Sequence, residues 1–299
     1  MRREGLTRLR IGATAISFEG VMEGLKIGGK DNAISFDYMS LVKRVVENDF
    51  KHVELTLDIY YVFPSSFSKE NVEGWKSMRD EGITFSAHLP LLSLGLDSPI
   101  EDVRKASVNS VVKPVEVLED LKPLIYVLHM AGPLAAEVNR MEIGETYKQL
   151  FFEALSKNSS ESVERIVSSM SDMGVEPRRI ALESIEFPFS KTLELAEAFD
   201  TSICIDTGHI LAGYSGKISV EEALKLSSER LGEIHLHDAY RRKKGDSVVI
   251  KDHLPLGSGD MNVQSFLKTL EEVKFTGPIV FELGLKDAKI SLQKLAHEK

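Results

Sequence analysis

The sequence contains one cysteine in 299 residues, which excludes an intrachain disulfide; Cys204 lies in the apolar run SICID, where a small buried residue is the natural reading. A lone thiol of this kind points to a reducing, cytoplasmic setting. No stretch approaches about 20 uncharged apolar residues, and the N-terminal MRREGLTRLRIG lacks the apolar run of a signal peptide, so a soluble chain is expected. An excess of positive charge is lacking as well: the net charge of -9 argues against a broad, non-specific grip on a nucleic-acid backbone. The one concentrated basic run, Arg241 to Lys244, reads as a solvated loop. No strand is followed by G-x-G-x-x-G or a Walker pattern, which removes the usual dinucleotide and nucleotide cradles, and there is neither a linker nor a low-complexity tract.

What is present is an ordinary globular composition, 42% hydrophobic and 28% charged, able to bury a large core. Eight short apolar or β-branched segments recur along it: RIGATAIS (10–17), HVELTL (52–57), ITFSAH (83–88), LIYVLH (124–129), RIALES (179–184), SICID (202–206), EIHLH (233–237) and PIVFEL (278–283). Amphipathic helical patterns lie between most of them, with capping residues expected at Ser190, Ser219 and Asn262, helix-end glycines at Gly82, Gly174 and Gly232, and a break at Pro114. Eight βα units close naturally into a barrel, so the expectation is a single (β/α)8 TIM barrel spanning residues 1–299. The longest irregular stretch is the loop from about Tyr240 to Gly259, a length that marks a functional loop.

In a strand, alternate side chains share a face. In RIALES the outward Ile180 and Leu182 leave Ala181 and Glu183 facing the barrel; in SICID, Ile203 and Ile205 leave Cys204 and Asp206; in PIVFEL, Ile279 and Phe281 leave Val280 and Glu282. The same division points His88, His129, His235 and His237 inward, each near the C-terminal end of its strand, the face where barrel enzymes keep their active sites. Carboxylates buried together cost several kcal/mol each unless cations or protons compensate, and histidines interleaved among them are a common way to hold a divalent metal.

Taken in order, SAHLPL (86–91), VLHMAG (127–132), LES (182–184), CIDTGHILAGY (204–214), IHLHD (234–238), DHLPLGSGDMN (252–262) and FELG (281–284) resemble the xylose-isomerase-like TIM-barrel superfamily, which includes sugar and sugar-phosphate isomerases and epimerases and the endonuclease IV repair enzymes. The resemblance implies that Glu183, Asp206, His235 and Glu282 bind a metal shared by both branches, with His237 competing for the place of His235. Arg241, six residues after His235, resembles the arginine that contacts substrate oxygens in sugar epimerases. In endonuclease-IV-like enzymes the positions of His88 and His129 join the shared glutamate around a second metal, and those of His209 and His253 hold a third with an aspartate. Here Lys251 falls at the aspartate's position, with Asp252 one residue out of register. Leu91 stands where that branch carries a DNA-probing tyrosine, and Thr14 where it usually has a histidine.

Two activities follow as expectations. The leading one is a divalent-metal-dependent isomerase or epimerase acting on a sugar or sugar phosphate through an enediolate, with Glu183 and Glu282 exchanging the proton and His209 hydrogen-bonding substrate. Arg241, His88 and Glu54 would complete the substrate contacts, although Glu54 reads equally as a hydrogen-bonded structural glutamate. The alternative is a two- or three-metal phosphoesterase using His88, His129, His209, Asp252 and His253 as further ligands. Zn, Mn, Mg and Co all suit such a mixed ligand set, in one to three ions. The expected partner is a small carbohydrate or sugar phosphate rather than nucleic acid or membrane; a homo-oligomer is left open.

Overall fold

The computed structural model describes residues 9–16, 22, 24–28, 33–118, 120–245 and 247–298. Eight parallel strands close into a barrel: β1 (Arg10–Thr14), β4 (His52–Thr56), β5 (Thr84–His88), β6 (Tyr126–His129), β7 (Ile180–Glu183), β8 (Ser202–Asp206), β9 (Leu231–His235) and β12 (Pro278–Phe281), with β1 bonded to both β4 and β12. Seven fall inside a segment expected from the sequence, and β9 overlaps its segment (233–237) but runs two residues earlier at each end; Ser17, the last residue of the first segment, lies outside the described residues. Two antiparallel hairpins are added to the barrel, β2 (Leu25–Gly28) with β3 (Ala33–Phe36), and β10 (Asp238–Lys244) with β11 (Ser247–Leu254).

The outward residues of the strands pack against the helices in one large apolar cluster that includes Ile180, Leu182, Ile203, Ile205, Ile279 and Phe281. A separate small cluster, Ile125, Val127, Ala181 and Cys204, fills the barrel interior along β6 to β8. The opposite interior wall is polar: His52, Glu54, Ser86, Glu233 and His235, from β4, β5 and β9, are all at most 1% exposed. Such a wall survives only because its members bond one another. At the upper end of β4, the Thr56 amide donates to the Tyr38 hydroxyl (2.6 Å), and Tyr38 is itself fixed edge-on between Trp75 and Phe67.

The helix stops follow local chemistry in most places. Ser219 forms a capping box with Glu222, Asn262 accepts from the Ser265 amide, and Gly82 and Gly174 take positive φ just beyond their helices. Pro114 ends the helix Glu101–Val112, which continues as a 3-10 segment. Two expectations change. Ser190 lies inside the helix Phe189–Ala198, whose cap position is Pro188, because the start pre-set by proline precedes the serine. Gly232 belongs to β9, where a Cβ would come within 2.8 Å of the Ser202 Cβ on β8, so the glycine serves strand contact and not a helix end.

The expected irregular loop from Tyr240 to Gly259 is largely the β10–β11 hairpin, which turns at Gly245 (φ 62°). Its strands stand clear of the core and carry charged residues on exposed faces, so the apolar alternation that marks a buried strand is missing there. The basic run Arg241 to Lys244 is therefore a solvated strand and not a solvated loop.

Candidate metal centre

Register sets the heights of the inward side chains. His129 lies level with Glu183 and Asp206 level with His235, which places these four in the upper layer of the barrel. Glu54 lies level with Ser86, one inward step below His88. His209 enters on the short helix Thr207–Ala212, whose N-cap is Asp206: the Asp206 Oδ1 accepts from the His209 amide at 2.6 Å. His253 and Asp252 come from β11, at a register shift where Asp238 pairs Leu254 but Tyr240 pairs Lys251. The irregularity turns Asp252 toward His253, Oδ1 to Nδ1 3.3 Å, and leaves Lys251 exposed in the hairpin. Among Asp252 and Lys251, Asp252 is thus the residue beside the cluster.

The ligand-type atoms converge on Glu183. Its Oε2 lies 2.8 Å from His129 Nε2, 3.5 Å from His88 Nε2 and 3.5 Å from His235 Nδ1, while its Oε1 lies 3.3 Å from His209 Nδ1. Glu282 Oε1 is 3.3 Å from His235 Nδ1, and Asp206 Oδ2 is 3.4 Å from His209 Nδ1. A tetrahedral ion with bonds of about 2.0–2.1 Å separates its ligands by about 3.3–3.4 Å. Glu183, Asp206, His235 and Glu282 each offer one atom within 4.8 Å of the others, as do His88, His129 and Glu183.

Whether these residues suit a cation is tested by what the protein leaves unsatisfied. Glu183 Oε1, His209 Nδ1 and His235 Nδ1 are buried and have no hydrogen-bond partner. Orphaned acceptors and imidazole nitrogens at one point cost about 1–3 kcal/mol each unless something fills the gap. Two of the cluster histidines have their second ring nitrogen engaged, as metal-binding histidines generally do. His88 Nδ1 faces the Leu89 carbonyl at 3.0 Å, which can only accept, so Nδ1 carries the proton and Nε2 is turned to the cluster. His235 Nε2 meets Glu54 Oε2 at 3.1 Å, turning Nδ1 to Glu183 and Glu282. The donor set fits a divalent metal at the central position and a second beside His88 and His129.

Protons occupy the same ground. Burial opposes charge on His88, yet the Glu183 hydrogen bond and the charges of Glu54, Glu183 and Glu282 hold its pKa up to about 9. His209 is likewise raised to about 9 against its burial, chiefly by Asp206 and Glu183. Burial pushes Glu183 upward, but His129 and His235 bring its carboxyl well below the usual range.

The sequence-based candidates are brought together with two adjustments. Glu54 is 1% exposed and bonded to His235 Nε2, one inward step beneath the mouth. Arg241 lies on the exposed hairpin and packs over Gly213, where a Cβ would come within 2.5 Å of its Nη1. Three residues escaped the sequence reading. Glu233, fully buried, accepts from the Ser86 hydroxyl at 3.0 Å and lies 3.6 Å from His235; stepping back two residues from His235 would have found it. His52 opens β4 and bonds Thr84 and Ser86. Asp238 gathers the amides of Ala239, Gly257, Gly259 and Met261 (2.8–2.9 Å), tying the DHLPLGSGDM segment to the end of β9; only contacts distant in sequence reveal it.

Comparison with known proteins agrees with this architecture. A family model described as xylose isomerase-like TIM barrel matches residues 42–296. An uncharacterized protein of Methanocaldococcus jannaschii is 25% identical over 262 residues, covering 83% of this chain and 80% of its own. A probable endonuclease 4 of Persephonella marina is 26% identical over 188 residues, a match spanning 59% of this chain and 60% of the relative. A crystal structure of a D-tagatose 3-epimerase-like protein superposes with a TM-score of 0.69 at 20% identity, covering 97% of both chains, a likeness of fold. With the match running from the first barrel helix into the last, the chain belongs to the xylose isomerase-like TIM-barrel family.

Proposed function

We propose that the protein is a metal-dependent phosphoester hydrolase working with at least two divalent cations. The observation that carries this reading is the sharing of Glu183: one carboxylate is common to the Asp206–His235–Glu282 group and to the His88–His129 group. Paired sites sharing a carboxylate suit in-line displacement at phosphorus, where two cations can stabilise both the attacking and the leaving oxygen. Bound cations would supply stabilisation of charge developing on phosphoryl oxygens and would acidify water near neutral pH.

The chain's own residues supply the remainder. His88 and His235 are held by Leu89 and Glu54, so their remaining ring nitrogens are oriented toward the cluster before anything binds. Arg241, over Gly213, presents a planar fork suited to a phosphate. His253, half exposed and paired with Asp252, stands at the solvent edge and can hold a proton near a departing oxygen. The acidic balance of the chain favours a small phosphoester over DNA.

The isomerase or epimerase reading keeps specific support: the four-residue group is complete by itself, Glu183 and Glu282 both reach it, and Arg241 lies at the same mouth. On that reading Glu183 and Glu282 would exchange a proton with substrate carbon and His209 would bind a hydroxyl. Elemental analysis of the purified protein, combined with assays of bis(p-nitrophenyl) phosphate cleavage and ketose epimerisation, separates the two. Two or more metals per chain and phosphodiester cleavage that His129→Gln abolishes are expected; one metal per chain with epimerisation unaffected by His129→Gln would overturn the hydrolase.

A further inference from the structure

The two inward histidines near the end of β9 differ in how their rings are used. His235 keeps a buried nitrogen without a hydrogen-bond partner, whereas both ring nitrogens of His237 are committed. The backbone amide of His253 donates to His237 Nδ1 at 3.0 Å. An amide N–H can only donate, so Nδ1 is the bare nitrogen and the proton sits on Nε2, which donates to Asp206 Oδ2 at 2.9 Å. The competing contact, Nδ1 to the Asp238 carbonyl at 3.4 Å, is too long to reverse this assignment.

The ring is held in that pose from three directions. The Thr207 hydroxyl donates to the His237 carbonyl (2.8 Å) and accepts from its amide (3.1 Å). The imidazole of His253 stacks on it at 4.2 Å with planes 12° apart. Gly208 provides the floor, where a Cβ would lie 2.1 Å from the ring. At His253 itself the backbone takes φ 50°, an uncommon conformation for a side chain of that size, and the bond to His237 Nδ1 supports it.

We propose that His237 is a positioning residue and not a metal ligand, although it lies with His209 and His253 in a group of ligand-type atoms. Through Nε2–H it aims the Asp206 carboxylate at the centre; through Nδ1 it fixes the hairpin strand that brings His253 and Asp252 to the mouth. To bind a cation it would have to give up one of these bonds, leaving either a buried carboxylate oxygen or a backbone amide unpaired. The inference rests on the reading of Asp206 as a metal ligand, and it assigns the barrel and the hairpin to one rigid unit.

Glutamine and asparagine divide the two roles, because a glutamine amide nitrogen reaches about as far as Nε2 and an asparagine oxygen about as far as Nδ1. Co2+ titration of the metal-depleted full chain, followed by visible absorption and elemental analysis, is the readout, with thermal unfolding as a check on folding. His237→Gln should bind as many Co2+ ions as the wild type with affinity within about threefold, while His237→Asn and His237→Leu should lose about 10–100-fold at the site that includes Asp206. Loss of one metal equivalent in all three variants would make His237 a ligand and overturn the proposal, as would unchanged affinity in all three. A wild-type chain that binds no Co2+ would overturn the metal reading of Asp206 and the role of His237 with it; binding by the wild type with the wrong pattern in the variants overturns the role of His237 alone.

Discussion

The most exposed consequence of the polar barrel wall is acid sensitivity centred on His52. Its ring is fully buried, Nε2 at 2.9 Å from Ser86 Oγ and Nδ1 at 2.9 Å from Thr84 Oγ1. Because the single hydroxyl hydrogen of Ser86 is given to Glu233, Ser86 must accept from His52, so Nε2 carries the proton and Nδ1 accepts from Thr84. A second ring proton could be accepted only by turning the Thr84 hydroxyl to the Lys51 carbonyl, 3.3 Å away, in place of the ring. Burial, reinforced by the charge of Arg10 and opposed by Glu54, brings the pKa from 6.5 down to about 3. In the unfolded chain His52 protonates near its ordinary value, so the unfolded state binds more protons as pH falls below about 6.5, and stability is lost progressively down to about pH 3. At about 1.4 kcal/mol for each pH unit, the whole interval is worth about 5 kcal/mol, a large share of the 5–15 kcal/mol typical of a domain. Urea unfolding of metal-depleted protein between pH 7 and pH 4 would compare the wild type with His52→Gln. The variant should start less stable, having lost bonds to Thr84 and Ser86, but its stability should fall less steeply with acid, the curves converging by roughly 3 kcal/mol across those units. Parallel curves would refute the argument, because they would mean that His52 takes up its proton in the fold.

Other perturbations test the centre itself. Gly208→Ala forces a Cβ into a ring that cannot retreat, and should cost about 1–3 kcal/mol in urea unfolding and lower metal content as His237 is displaced. Glu183→Gln removes the carboxylate that both clusters share; hydrolysis of bis(p-nitrophenyl) phosphate should fall by about 10²–10⁴, and full activity would exclude Glu183 from the chemistry. With His88 and His209 each holding a proton up to about 9, Zn2+ binding at pH 7 should release protons into a weakly buffered solution. The release should disappear above about pH 9, where both rings are already neutral, and release that did not depend on pH would contradict the assignment.

The fold was legible in the sequence because its two signals are local. Short apolar or β-branched segments marked the barrel strands, and period-two alternation in six of them pointed Glu183, Asp206, His235 and Glu282 toward one axis. Height within the barrel was not legible. Glu54 and His88 are both inward, but pairing with neighbouring strands decides that one lies beneath the mouth and the other in it. Nor could alternation separate His235 from His237, since their difference lies in which ring nitrogens are already bonded. The hairpin was missed for an opposite reason: its strands bury too little apolar surface to leave a pattern, and only the turn at Gly245 hinted at it.

That hairpin has feet of a particular kind. Asp238 begins β10 and pairs with Leu254, which ends β11, and the Asp238 carboxylate also clasps the segment that follows. The anchorage is concentrated at the base, with Arg241 over Gly213 and the Arg242–Asp260 ion pair extending it by one turn of the ladder, while Lys243 and Lys244 are exposed at the tip. Tips of another length or charge could therefore be exchanged beyond Arg242 without moving the residues beneath them, making the end of the hairpin a replaceable reading head over a fixed chemical engine.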